Sequence, residues 1–131
     1  MNDSTDKQGV LEANQAFYSA FANRDPKGMN LVWWQGTTSV CIHPGGQILQ
    51  GWEQIQASWS MIFRHTDSLE IDIEVLKVEI DHSLAYVVVQ EMVLQSSQGR
   101  RVKAPSLATN IFQKMAQKWY LVSHHGSPIM R

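Results

Sequence analysis

The hydrophobic period of this chain changes once, near Leu69, and that change fixes the layout it can fold into. Before Leu69, apolar residues recur at helical spacing; after it, they alternate. Leu69, Ile71, Ile73 and Val75 alternate with Glu70, Asp72 and Glu74, the pattern of a strand with one buried face. The phase then slips, and Leu76, Val78 and Ile80 continue the apolar set. A one-residue slip turns the buried face outward unless a bulge absorbs it. The spacing therefore predicts a bulge near Val75-Leu76 and, with it, a bent sheet.

The first half reads as three helices and a small hairpin. Val10, Ala13, Phe17, Ala20 and Phe21 form a stripe, with Leu11 and Tyr18 beside it. It predicts a helix from an Asp6 cap to about Asn23, with residues 1–6 as a frayed start. Asn23-Arg-Asp-Pro26 breaks it, and Pro26 opens a short helix capped by Asp25 and carrying Met29, Val32 and Trp33. Ser39–His43 reads as a strand, Pro44-Gly45-Gly46 as a turn and Ile48-Leu49 as its return. Gly51 to about His65 is a third helix with Trp52, Ile55, Trp59, Ile62 and Phe63 on one face.

Beyond the turn at Asp81-His82, Leu84–Leu94 is almost wholly apolar, and Val102–Lys114 with Trp119–His125 makes the last hairpin. Helices first and long strands last give an α+β chain: a curved antiparallel sheet wrapped by three helices from the N-terminal half. A strand apolar on both sides wants cover on both faces. In a chain of 131 residues the helices can cover only one, so the second cover is expected from another copy, a homodimer through the open sheet face.

Composition narrows the class. The length suits a single domain over 1–131. With 44 % hydrophobic and 18 % charged residues the chain is not of a disordered type. A net charge of −1 removes the electrostatic case for nucleic acid or an anionic membrane. No apolar run approaches the roughly 20 residues that span a bilayer. The start, Met1 to Gln8, is polar and unlike a secretory signal. Cys41 is alone, so no intrachain disulfide forms, and a cytoplasmic location is the expectation.

Four places carry candidate chemistry. His124 and His125 are adjacent on a strand and so face opposite ways. The parity of the last hairpin favours His124 as the inward one without deciding between the two, and residues that face opposite ways make a poor chelate. His43 shares a strand face with Cys41, but zinc takes four ligands and no second cysteine exists, so no metal is expected. His43 reads instead as ordering the Pro44-Gly45-Gly46 turn. A Cys41–His43 nucleophilic pair is disfavoured by the roughly 6–7 Å between same-face strand residues. Glu91 is the one carboxylate inside an apolar run, whereas Glu70, Asp72, Glu74 and Glu79 fall at exposed positions. Buried, it needs a partner such as an Arg, a His or a subunit edge. Asn110 falls with Ala108 and Phe112 on one strand face. Each of these has a plain structural reading beside the functional one: a hydrogen-bonded sheet-end histidine, an interface carboxylate, a packing tryptophan.

Cys41-Ile-His-Pro-Gly-Gly46, Gly51-Trp52, Ser58-Trp59 and Trp119-Tyr-Leu-Val-Ser-His-His-Gly-Ser127 together resemble the SnoaL-like branch of the nuclear transport factor 2-like superfamily, from about Leu11 to Pro128. The resemblance implies a cone with an internal pocket, a fold that hosts enzymes, binding modules and assembly domains alike. Trp33 and Trp59 match tryptophans of such chains. With Phe17, Tyr18 and Phe21 they imply an aromatic lining suited to a small organic ligand. Proton-transfer members of the superfamily use an acidic residue inside the cone. The chain is also similar to the calcium/calmodulin-dependent kinase association domain, but Asn110 and Gly126 stand where that domain has pocket arginines, which disfavours a strongly anionic ligand.

Two functions follow from the resemblance. One is a homodimeric small-molecule-binding domain, as isomerase, cyclase or hydrolase on a small apolar or polycyclic ligand, with no cofactor. His124 and Glu91 are its candidate catalytic residues. Phe17, Tyr18, Phe21, Trp33, His43, Trp59, Asn110 and His125 are its candidate ligand contacts. The alternative is a non-catalytic assembly or sensor domain.

Overall fold

A computed structural model describes residues 3–130, the side chain of residue 3 excepted. Helices α1 (Asp3–Ala22) and α2 (Pro26–Val32) come first, then strands β1 (Val40–Ile42) and β2 (Leu49–Gln50) and helix α3 (Trp52–Arg64). Four long strands follow: β3 (Ser68–Asp81), β4 (Leu84–Ser97), β5 (Arg100–Met115) and β6 (Lys118–Pro128). They form one sheet in the order β2-β1-β6-β5-β4-β3. The pairings are antiparallel except for β1, which lies parallel to β6. Parallel neighbours need a long connection, and here most of the chain separates the two. The three helices pack on one face of this α+β sheet to make the cone. No helix among the described residues is long and apolar enough to cross a membrane.

The phase slip in β3 is a bulge. Val75 pairs with Val89 and Lys77 with Val88, leaving Leu76 as the extra residue. A second irregularity, between Ile111 and Phe112 opposite β6, leaves Val122 extra. Unlike the first, it leaves no trace in the apolar pattern. Irregularities of this kind bend a strand and increase its twist.

The inner face of β4 is buried at Ala85, Val87, Val89, Glu91 and Val93. It meets Phe17 and Tyr18 of α1 and Ile55, Trp59 and Phe63 of α3 in one core. The outer face is not covered within the chain: Leu84 is 50 % and Tyr86 40 % exposed. Asp25 caps α2 by accepting from the Lys27 N–H at 3.1 Å, as the sequence indicates. Asp6 does not cap α1. The helix already starts at Asp3, so residues 3–6 are helical rather than frayed, and residues 1–2 lie outside the described ones. The Asp6 carboxylate instead accepts from Lys114 Nζ of β5 at 2.8 Å. A partner 108 positions away leaves no local signal, which is why the cap reading misplaces this residue.

Candidate functional site

Five polar side chains meet inside the apolar core. Asn14 and Tyr18 lie one helical turn apart on α1 and share its inner face. β5 supplies Asn110 and β6 supplies His124, which are direct cross-strand partners. β4 supplies Glu91. None of the five is more than 3 % exposed.

Their hydrogen bonds form a continuous line. The Asn110 amide nitrogen donates to Asn14 Oδ1 at 2.9 Å and to Tyr18 Oη at 3.1 Å. The Tyr18 hydroxyl donates to Glu91 Oε2 at 2.5 Å. Asn110 Oδ1 lies 2.6 Å from His124 Nδ1. Because the amide nitrogen is committed to Asn14 and Tyr18, Oδ1 must be the acceptor. His124 therefore carries its proton on Nδ1, and Nε2 presents a lone pair. Burial, with smaller contributions from His43 and His125, lowers the His124 pKa to about 3. The ring is thus neutral, in one tautomer, with its basic nitrogen unprotonated.

Burial acts the other way on the acids. It raises the Glu91 pKa, and the Tyr18 hydrogen bond offsets only part of that. Burial, then the Glu91 charge, raises the Tyr18 pKa further above its ordinary value. The phenol is thus a donor at neutral pH, and Glu91 holds a proton more readily than an exposed carboxylate. A carboxyl whose pKa is raised and an imidazole whose pKa is lowered stand on the same hydrogen-bonded line. Pairs driven apart in this way are the raw material of acid–base catalysis.

A second, shorter polar arm sits where β1 ends. His43 Nε2 is 2.9 Å from Ser58 Oγ of α3 and 3.8 Å from Cys41 Sγ. The sulfur contact is closer than the strand spacing predicts, because His43 lies past the last residue of β1 and its ring turns back. Burial lowers the His43 pKa. Burial, then the Glu91 charge, pushes the Cys41 thiol up to about 12, so it is no thiolate nucleophile at neutral pH. Gly126 lies close to this turn: a Cβ on it would sit 3.0 Å from the Pro44 ring. The end of β6 thus passes against the turn that follows His43.

Aromatic rings join the two arms. Phe17 contacts His124 at 4.9 Å, Trp59 at 5.7 Å and Trp33 at 6.1 Å. Trp59 stands perpendicular to His43 at 4.8 Å and also packs on Phe21 at 4.8 Å. The side chains expected to line a pocket therefore close on one another, and Phe17, Trp33 and Trp59 are at most 2 % exposed. A groove of about 760 Å³ lies beside them, lined in part by Gln35, Thr37, Gln50, Trp52 and Gln56. Its Trp52 packs on Trp33 at 6.2 Å, so the groove adjoins the aromatic interior.

The structure brings His124, Glu91, Asn110, Tyr18, Phe17, Phe21, Trp33, Trp59 and His43 together. It does not bring in His125. That residue lies exposed on the opposite face of β6, opposite Thr109 and Ile42, because adjacent strand residues alternate. Glu91 finds neither Arg nor His as partner but Tyr18. Sequence reasoning missed Asn14 and Ser58. Asn14 is a polar residue one turn along the stripe from Val10 and Tyr18. Ser58 lies at helical spacing between Ile55 and Ile62. In both cases a polar side chain on an apolar face was the available signal.

Comparison with known proteins agrees with this architecture. The SnoaL-like domain model matches residues 10–131. A Streptomyces avermitilis protein of the NTF2-like family, named provisionally as a dehydratase, is 27 % identical, with a TM-score of 0.91 over 98 % of this chain and 99 % of that one. A Thiobacillus denitrificans protein, named provisionally as a calcium/calmodulin-dependent protein kinase type II association domain, is also 27 % identical, with a TM-score of 0.81 over 90 % and 93 %. The F-box protein SKIP8 of Arabidopsis thaliana is 21 % identical over 123 residues, 94 % of this chain and 51 % of that protein. The chain thus spans about half the length of this curated relative.

Proposed function

This chain belongs to the SnoaL-like domain family, and from that premise we propose that it binds a small organic molecule in the cone and moves a proton on it. The observation that carries this is the buried line His124–Asn110–Tyr18–Glu91. A core needs no such line for stability, since burying polar groups gains little even when they are satisfied. This one sets an imidazole whose pKa is lowered and a carboxyl whose pKa is raised on a single hydrogen-bonded line.

The roles follow from protonation. His124 Nε2 accepts a hydrogen bond from the ligand. Asn110 and, through it, Asn14 hold the imidazole in that tautomer. Glu91 with Tyr18 holds or releases a proton on the far side. Phe17, Trp33 and Trp59 exclude water and pack the ligand's apolar frame. Acid–base isomerisation, elimination and hydrolysis all lie within the reach of such a set. The Streptomyces relative's name favours elimination of water.

The test is a library screen by thermal shift and native mass spectrometry, repeated on His124→Gln and Glu91→Gln. The expected result is a ligand of a few hundred daltons whose affinity falls in both variants. A ligand that binds both variants as tightly as the original chain would overturn the assignment.

A second reading is assembly. Leu84, Tyr86, Val102 and Leu107 are all at least 40 % exposed, and Leu84, Tyr86 and Leu107 lie on the uncovered outer side of β4 and β5. The Thiobacillus relative's name points the same way. A homodimer through this face is compatible with a ligand inside the cone. It stands as the sole function only if no ligand binds.

A further inference from the structure

We propose that the indole N–H groups of Trp33 and Trp59 recognise an acceptor oxygen of the ligand, and that the ligand is a neutral carbonyl-type molecule on an apolar frame. This rests on the ligand-binding reading of the interior. Among the described residues, the buried side-chain nitrogen and oxygen atoms without a hydrogen-bond partner are Trp33 Nε1 and Trp59 Nε1. Indole nitrogen only donates, and a buried tryptophan ordinarily finds an acceptor. One orphaned donor is a costly irregularity. Two in one cluster, both set edge-on to Phe17 at interplanar angles of 82° and 76°, make a feature of the site. Trp59 is also in ring contact with His43 and His124, so its indole stands between the two polar arms.

Charge decides what kind of acceptor fits. The buried polar and charged residues include no lysine or arginine. Lys114, at the edge of the core, is already paired with Asp6. Among the described residues, the two buried carboxyl groups are Asp6, which that lysine takes up, and Glu91, so the interior offers an anion no free positive charge. A carboxylate or phosphate ligand would lack a counter-charge, whereas a ketone, aldehyde or amide oxygen needs only the two donors. A trapped water is the rival acceptor. Water holds its place with two to four polar partners, and the rings in contact with Trp33 are those of Phe17 and Trp52.

The test compares acetophenone, ethylbenzene and benzoate on the whole chain. Proton–nitrogen correlation spectra follow the indole groups, with Trp33→Phe and Trp59→Phe used only to assign the two signals. Acetophenone is expected to bind about tenfold more tightly than ethylbenzene, the worth of one good hydrogen bond. It should move both indole signals downfield, and benzoate at pH 8 should bind at least about tenfold more weakly than acetophenone. Equal binding of acetophenone and ethylbenzene with unmoved indole signals would overturn the donor assignment and leave the interior site standing. So would indole signals that show a bound water before and after acetophenone is added. Failure of all three probes to perturb any interior residue would overturn the ligand-binding reading itself.

Discussion

His43 and His124 line the same interior, and burial keeps both neutral, yet they are held in different ways. His124 is 1 % exposed, sits mid-sheet, and has its Nδ1 fixed by an amide that two other side chains hold in turn. His43 is half-buried, lies past the end of a three-residue strand, and uses Nε2 on a single serine and a distant thiol. A ring whose tautomer is dictated by a committed amide offers the same basic atom at every encounter. A ring held by a hydroxyl, which donates or accepts equally well, does not. The inner arm therefore presents one fixed acceptor atom, and the outer arm does not.

The sharpest way to break this contrast is at its hub. Asn110→Leu leaves Asn14, Tyr18 and His124 each short of a buried partner. Chemical denaturation should show a loss of about 3 kcal/mol, the combined cost of such orphans. A loss under about 1 kcal/mol would mean that the inner line is not a connected unit.

Acid stability should separate the two histidines next. Below about pH 6.5 the unfolded chain protonates its histidines, while folded His124 resists until about pH 3. The unfolded state then binds more protons, so stability falls as pH drops through that window. His124→Gln should flatten the acid limb of the stability curve. His43→Gln should do so less, since that ring is only partly buried. Equal effects would erase the distinction.

Glu91→Gln tests the acid side with the opposite sign. The folded-state pKa of Glu91 is raised, so the folded state keeps its proton after the unfolded chain has lost it. Stability therefore declines as pH rises from the ordinary carboxylate value to the raised one. Gln removes that decline and still offers Tyr18 an acceptor, so the variant should be at least as stable at pH 7 while losing ligand affinity. The smallest effect should come from Ser58→Ala, about 1 kcal/mol for one half-buried hydrogen bond. If this change matched the effect of Asn110→Leu, the arms would be equivalent.

What the sequence revealed follows physical rules of differing range. The period change at Leu69, the bulge at Val75-Leu76 and the inward turn of His124 depend on alternation along one strand, which is local. The proline-opened helix α2 and its Asp25 cap are local too. The Tyr18–Glu91 bond joins residues 73 positions apart, and the Asp6–Lys114 pair joins residues 108 apart. Nothing in either neighbourhood announces the other. Asn14 could have been flagged as a polar residue on an apolar helical stripe, but its role depends on the β5–β6 register that brings Asn110 beneath it. His125 was drawn into the site by adjacency to His124, and the same alternation that places one inside puts the other outside.

The central claim is that His124 stands neutral with its proton on Nδ1 inside the cone. Nitrogen NMR of the histidine side chains, followed from pH 8 down to the onset of acid unfolding, tests it most directly. The account predicts one ring locked as the Nδ1–H tautomer across that range, collapsing onto Nε2–H exchange in Asn110→Leu. A His124 ring that titrates near pH 6.5, or that carries its proton on Nε2, would contradict it.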